Sequence, residues 1–169
     1  MEPTASRPDM PGYGILDKRG GTGLLPWSWA SERLATSHDY WLATVRPDGR
    51  PHVTPVWGVW DGEAVWFSSS GGSRKARNLA ANPHATITTD DALEPVVVEG
   101  EVRRVTALEP ITAFTDRMNR KYESDYGVDF FTTNACFRLR PTRVFGLTEA
   151  DFVGSPTRWV FPPDEATAG

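Results

Sequence analysis

From Tyr40 to Phe161 apolar side chains come in short runs interleaved with polar ones, and most runs stop at a turn signal. Strands are expected over Tyr40–Arg46, Pro51–Trp60 and Glu63–Ser68. The turn Pro47-Asp48-Gly49 joins the first two: proline presets φ, aspartate caps its own backbone and glycine accepts positive φ. Asp61-Gly62 is a strong short hairpin signal. Further strands are expected over His84–Thr89, Pro95–Val105, Ala135–Leu139 and Arg143–Thr148, with a short edge segment within Phe152–Phe161.

Helical spacing is confined to three places. One helix is expected over Trp29–Ser37. A second runs from Ser73 to Ala81 and stops at Asn82-Pro83, because proline disfavours helical geometry in the residue before it. In the third, Leu108, Ile111, Phe114, Met118 and Tyr122 form one apolar stripe, with Thr106 and Glu109 spaced as a capping box. Pro110 is tolerated there because first-turn amides lack helical acceptors. Tight antiparallel turns with helices set aside from the strands give the expected class: α+β, mainly β, a barrel rather than a doubly wound sheet. Residues 1–26, rich in proline and glycine, read as an extended or mobile arm. Residues 27–161 form the barrel domain, and 162–169 a mobile tail.

Composition narrows the function. The net charge is −4, which argues against the basic face that nucleic-acid binding needs. Cys136 is the one cysteine, so no intrachain disulfide forms and a reducing, cytoplasmic setting is expected. No apolar run reaches the roughly 18 residues of a membrane span, and residues 1–6 lack a secretory pattern. His38, His52 and His84 have none of the short spacings of zinc sites, so no metal is expected. An ordinary strand histidine is the preferred reading of His52, with a ligand contact as the alternative. Cys136 reads as a small buried hydrophobe. Trp57 and Trp60 fall on opposite strand faces, one packing in the barrel and the other facing a partner or ligand.

The chemistry concentrates in Phe67-Ser68-Ser69-Ser70-Gly71-Gly72-Ser73-Arg74-Lys75-Ala76-Arg77-Asn78-Leu79. A strand ends, a Ser/Gly loop turns, and a helix begins at Ser73. Cations in a first helical turn are disfavoured by roughly 0.3–1 kcal/mol each, yet Arg74, Lys75 and Arg77 all sit there. An anion bound at the loop, phosphate above all, would gather backbone amides, hydroxyls and cations together. The plain alternative is a solvated basic turn paired with a distant carboxylate. The Gly-Lys-Ser/Thr order of a nucleotide P-loop is absent.

The Asp-Gly hairpin, the run Ser73-Arg74-Lys75-Ala76-Arg77-Asn78-Leu79 and the following Asn82-Pro83-His84 resemble the flavin/deazaflavin oxidoreductases of the pyridoxamine-phosphate-oxidase-like superfamily. The resemblance is to their B-type branch, spans roughly residues 27–161 and is most specific over 42–82. Thr157-Arg158-Trp159 after Phe145-Gly146-Leu147 resembles an ending recurrent in these proteins. It implies a split β-barrel homodimer with a cofactor at each subunit seam and a small-molecule substrate. By the same resemblance Thr54, Pro55 and Val56 would line the ring, and Ser68 and Ser69 the ribityl chain. Ser73, Arg74, Lys75 and Asn78 would hold the phosphate, while Trp159 and Arg158 would reach over from the partner subunit. The cofactor implied is coenzyme F-420, a deazaflavin, with FMN as the alternative. No histidine follows His84, so oxidation of vitamin B6 is not expected. The implied activity is a cofactor-dependent oxidoreductase moving a hydride to or from a small conjugated substrate. The alternatives are a non-catalytic flavin-binding protein for storage or sensing, and a haem-binding member of the same superfamily.

Overall fold

Turn chemistry dictates the first half of the barrel. In the computed structural model, which describes residues 2–163, the order is β1 (Thr4–Ser6), α1 (Trp27–Thr36), β2 (Tyr40–Val45), β3 (Pro51–Val56), β4 (Gly58–Trp60), β5 (Val65–Ser69), α2 (Arg74–Ala81), β6 (His84–Thr89), β7 (Val96–Val105), α3 (Leu108–Tyr122), α4 (Val128–Thr133), β8 (Ala135–Gly146) and β9 (Thr157–Val160). Every strand pairing is antiparallel, in the order β1-β9-β8-β7-β6-β2-β3, with β5 on β8 and β4 on β5. The Pro47-Asp48-Gly49 turn has Gly49 at φ +84 and sets β2 against β3 with Thr44 opposite His52. This is the expected α+β split barrel with peripheral helices.

Three expectations give way to tertiary pairing. The strand expected over Pro51–Trp60 breaks at Trp57, because its halves have different neighbours: β3 pairs with β2, and β4 with β5. At the break a side chain on Gly58 would meet the Trp66 carbonyl at 2.7 Å, so the chain can only pass there as glycine. The strands expected over Ala135–Leu139 and Arg143–Thr148 are one long strand, β8. Its first half carries β5 and its second half β9 on one side, while β7 runs along the other, with the register shifting between Glu99 and Gly100 where Thr142 is the extra residue of a bulge in β8. The capping box does not form: α3 starts one residue later, with Ala107 as its cap and no side-chain bond. Leu108 consequently lies outside the apolar stripe and is exposed.

One core fills the barrel, with Leu34, Tyr40, Leu42, Phe67, Ile87, Val98, Leu139 and Trp159 at its centre. A second forms where α3 lays Ile111, Phe114 and Met118 over Val59, Trp66 and Cys136. Cys136 donates to the Phe131 carbonyl, and burial pushes its thiol up to about 11, which leaves it an inert packing group. The N-terminal segment is tied down: β1 pairs with β9, and Arg7 donates to the carbonyls of Asp17, Gly20, Gly154 and Pro156. Most of the tail anticipated over 162–169 lies outside the described residues. No helix among those described is long and apolar enough to cross a membrane.

The end of α3 fastens the break at Trp57. Tyr122 accepts from the Gly58 amide (2.9 Å) and donates to the His38 carbonyl (2.6 Å), while Lys121 donates to the Gly58 carbonyl (2.7 Å). Trp57 stacks flat on Tyr122 at 4.3 Å, and the Lys121 ammonium lies 4.6 Å from the centre of the Tyr40 ring. Burial pulls Lys121 down from 10.5 to about 8, against the pull of Asp39 and Asp90. The unfolded chain therefore holds this proton more tightly, and stability rises with pH between about 8 and 10.5. Below that window the cost of burying the charge is present in full. The stability of the parent relative to Lys121→Met is expected to be greater at pH 10.5 than at pH 7, as urea melts at both pH values would read it.

Candidate functional site

At the end of β5, Ser68 and Ser69 face Cys136 and Ala135 across the ladder, so the loop after them starts from a fixed base. Ser73 donates its amide to the Ser70 carbonyl at 3.0 Å, and its Oγ accepts from the Ala76 amide at 3.2 Å. The expected N-cap is therefore in place. Ser69 and Ser73 share a hydroxyl–hydroxyl bond of 2.8 Å that ties strand end to helix start. Ala76 and Leu79 anchor α2 to the barrel core, leaving Arg74 and Arg77 exposed and Lys75 half-buried. The first turn of α2 contains no acidic residue.

The structure adds two residues to this loop. Asn78 is fully buried and donates to Thr44 at 3.0 Å, which clamps α2 onto β2. Thr44 is the cross-strand partner of His52, and directly opposed residues project on the same face of a sheet. His52 thus comes within electrostatic reach of Arg46, Lys75 and Arg74. Burial first, then those three cations, push its imidazole below the ordinary range, so the ring is neutral at pH 7. Arg46 Nε and His52 Nδ1 are shut off from water with no hydrogen-bond partner, and so is Asn78 Oδ1. Buried polar atoms without partners are uncommon in native folds. Arg46 Nε and His52 Nδ1 belong to side chains within electrostatic reach of one another, and His52 is also within reach of Arg74 and Lys75, neither of which forms an ion pair with another described residue. Asp48 in the hairpin turn, within electrostatic reach of Arg46, is paired with Arg50 at 2.8 Å.

Of the residues the sequence pointed to, the fold brings together Ser69, Ser73, Arg74 and Lys75, with Ser68 at the adjoining strand end. Thr54 is half-buried and Pro55 exposed on β3, an outer strand paired only with β2. Four others are placed elsewhere. Val56 turns its side chain into the core. Asn78 is buried as the clamp on Thr44, with no surface to offer a phosphate. Trp159 is fully buried in its own barrel among Trp27 and Trp29, so no part of its ring is exposed to a partner subunit. Arg158 is half-buried and donates to Ser6 in the N-terminal strand. Arg46 and His52 were missed as a pair, although they flank one recognisable turn and strand register alone sets His52 opposite Thr44.

A nine-stranded antiparallel split barrel with peripheral helices, carrying a cationic cradle at a strand–helix turn, defines the class. A family model described as pyridoxamine 5'-phosphate oxidase matches residues 30–148, and the chain belongs to that family. No curated protein matches the chain. Among solved structures it is similar to an F-420 reductase, with 29% identity over 71% of this chain and 98% of the other, at a TM-score of 0.57. A conserved hypothetical protein from Mycobacterium tuberculosis is 21% identical over 90% of this chain and 94% of that one, at a TM-score of 0.65. The heme storage protein HutZ from Vibrio cholerae is 23% identical over 68% of this chain and 86% of its own, at a TM-score of 0.54. The last two likenesses speak for the fold alone.

Proposed function

We propose that the protein is an oxidoreductase that holds a phosphate-bearing flavin-type cofactor, coenzyme F-420 in preference to FMN, and passes a hydride between it and a small conjugated substrate. The carrying observation is the cradle: Ser69 and Ser73 are bonded hydroxyl to hydroxyl where Arg74 and Lys75 begin α2, and the first turn of that helix holds no acidic residue. The Arg46 Nε–H, shut off from water without a partner, fits an anion bound beside it. When bound, the ring supplies the hydride chemistry. The protein's own part is to seat the phosphate at the start of α2 and to present the edge of β3 at Thr54 and Pro55 to the ring. The likeness to an F-420 reductase favours the deazaflavin. Its longer anionic tail also gives the exposed Arg77 a partner.

The test is a titration with both cofactors, following quenching of ring fluorescence. Coenzyme F-420 is expected to bind at least about tenfold more tightly, a difference of about 1.4 kcal/mol, with the preference shrinking as salt rises. Protein that purifies with FMN bound stoichiometrically, and keeps it against excess F-420, would reverse the preference. Binding of neither would remove the reading. Binding without turnover of any conjugated substrate would leave a storage or sensing protein.

A homodimer belongs to the same proposal. Trp41, Val45, Val53 and Trp57 are 46%, 38%, 56% and 46% exposed, and the register puts Trp41 beside Pro55 and Val45 beside Pro51 on one face of β2 and β3. An apolar face of this kind on an edge strand calls for cover by a second copy. Light scattering is expected to give twice the 18.7 kDa of one chain, and Val53→Glu with Trp41→Glu to give one chain. A parent protein that stays monomeric at micromolar concentration would contradict this.

A further inference from the structure

We propose that Arg46 and His52 complete the anion cradle, and that His52 takes up a proton when the anion seats, so that binding there is coupled to pH. This rests on reading the start of α2 as an anion site, though not on which cofactor supplies the anion.

The groups facing His52 come from three elements. The β2–β3 hairpin contributes Arg46, with Asp48 occupied by Arg50; β2 contributes the neutral Thr44; α2 contributes Arg74, Lys75 and the neutral Asn78. Without an anion, burial first and then three cations disfavour a charge on the ring, so the neutral imidazole is favoured. That state leaves both His52 Nδ1 and Arg46 Nε unpaired away from water. A dianion reverses each term. It offers acceptors to the guanidinium and the ring, and its charge outweighs the repulsion that kept the ring neutral. An imidazolium donates from both nitrogens, whereas neutral imidazole must find a donor for one of them. The charges that act on His52 are the cations Arg46, Lys75 and Arg74, so the protonated ring suits the filled cradle and the neutral ring the empty one. By linkage, an anion that raises proton affinity at His52 must itself bind more tightly as protons are added.

Inorganic sulfate is the probe, because it stays a dianion through the range in which histidine titrates. The readout is the ring proton resonances of His52 followed by NMR at constant ionic strength. His38 and His84, both well exposed, provide internal references. With saturating sulfate the His52 titration is expected to move upward by at least about one pH unit, while His38 and His84 stay in place. Sulfate should bind severalfold more tightly at pH 5.5 than at pH 8. His52→Gln should abolish that dependence, and Arg46→Gln should weaken sulfate severalfold at every pH. Three results would overturn the proposal: no sulfate binding, equal affinity at both pH values, or a His52 ring already charged at pH 7 without sulfate. The two readings fail separately. Proton-linked sulfate binding in a protein that takes neither F-420 nor FMN leaves the cradle standing and removes the oxidoreductase. Tight cofactor binding that ignores pH and His52→Gln does the reverse.

Discussion

Replacing Arg74 and Lys75 together with alanine is expected to weaken cofactor binding by roughly a thousandfold while leaving the fold intact. A hydrogen bond to a charged group contributes about 1.5–3 kcal/mol net. Two such bonds lost together amount to about 4 kcal/mol, or three powers of ten in affinity. The fold should not suffer, because neither side chain holds it together. Ser73 caps the helix with its own hydroxyl, and Ala76 and Leu79 anchor it in the core. Both cations also oppose the helix dipole where they stand, so their removal relieves a small unfavourable interaction. Isothermal titration with F-420 and FMN, alongside circular dichroism and a thermal melt, checks both halves. Affinity within twofold of the parent, in a variant that melts normally, would remove phosphate from this site. Loss of binding with loss of folding would point to a structural role for the pair.

The parts of the barrel that could be read in advance are those fixed by neighbours in sequence. Pro47-Asp48-Gly49 and Asp61-Gly62 are turns wherever they occur, and both hairpins formed. Ser73 caps α2 because a hydroxyl three residues before an unpaired amide needs nothing else. What escaped was decided at a distance. The same extended run can be one strand or two, depending on whether its ends share a neighbour, and no local signal at Trp57 says which. The two runs around Arg140-Pro141-Thr142 look like separate strands because proline interrupts the pattern. They are one strand because β7 pairs with both, Gly100 with Pro141 and Glu99 with Arg143, leaving Thr142 as the extra residue of a bulge in β8. Residues 123–134 gave no helical stripe, yet α4 forms there where Phe131 drops into the second core. Trp159 shows the limit of carrying a role across by resemblance. A tryptophan near a chain end serves a neighbouring site or its own core equally well, and only packing against Trp27 and Trp29 distinguishes the two.

The site follows the same division. Ser69, Ser73, Arg74 and Lys75 are contiguous enough to be read as a phosphate loop from the cost of their charges alone. Arg46 and His52 join them only because Asn78 clamps helix to strand through Thr44. That clamp is also why Asn78, which sits in the motif, has no contact to give. A residue in a binding motif can serve by holding the motif down.

Gly100→Ala is expected to be the most damaging single methyl group that can be added to the protein, costing about 3–5 kcal/mol. Gly100 is buried in β7 opposite the bulge in β8, where the register of the two strands shifts. A Cβ built on it would lie 2.0 Å from the Arg140 carbonyl oxygen and 3.1 Å from that carbonyl carbon. The obstacle is backbone, so no rotamer change can relieve it. The two strands would have to part, and β8 cannot yield on its own because it also carries β5 and β9 along its other side. A loss of that size is a large share of the total stability of an ordinary domain. For a chain of this length it corresponds to a fall in Tm of about 6–20 °C. Gly72→Ala is the matched control. Gly72 sits in the cradle loop with nothing within 4 Å of an added Cβ and no positive φ, so its substitution should stay within about 0.5 kcal/mol of the parent. Thermal and urea melts of the two variants make the comparison. A Gly100→Ala protein as stable as the Gly72→Ala control would mean that β7 and β8 are not held as closely as their register requires.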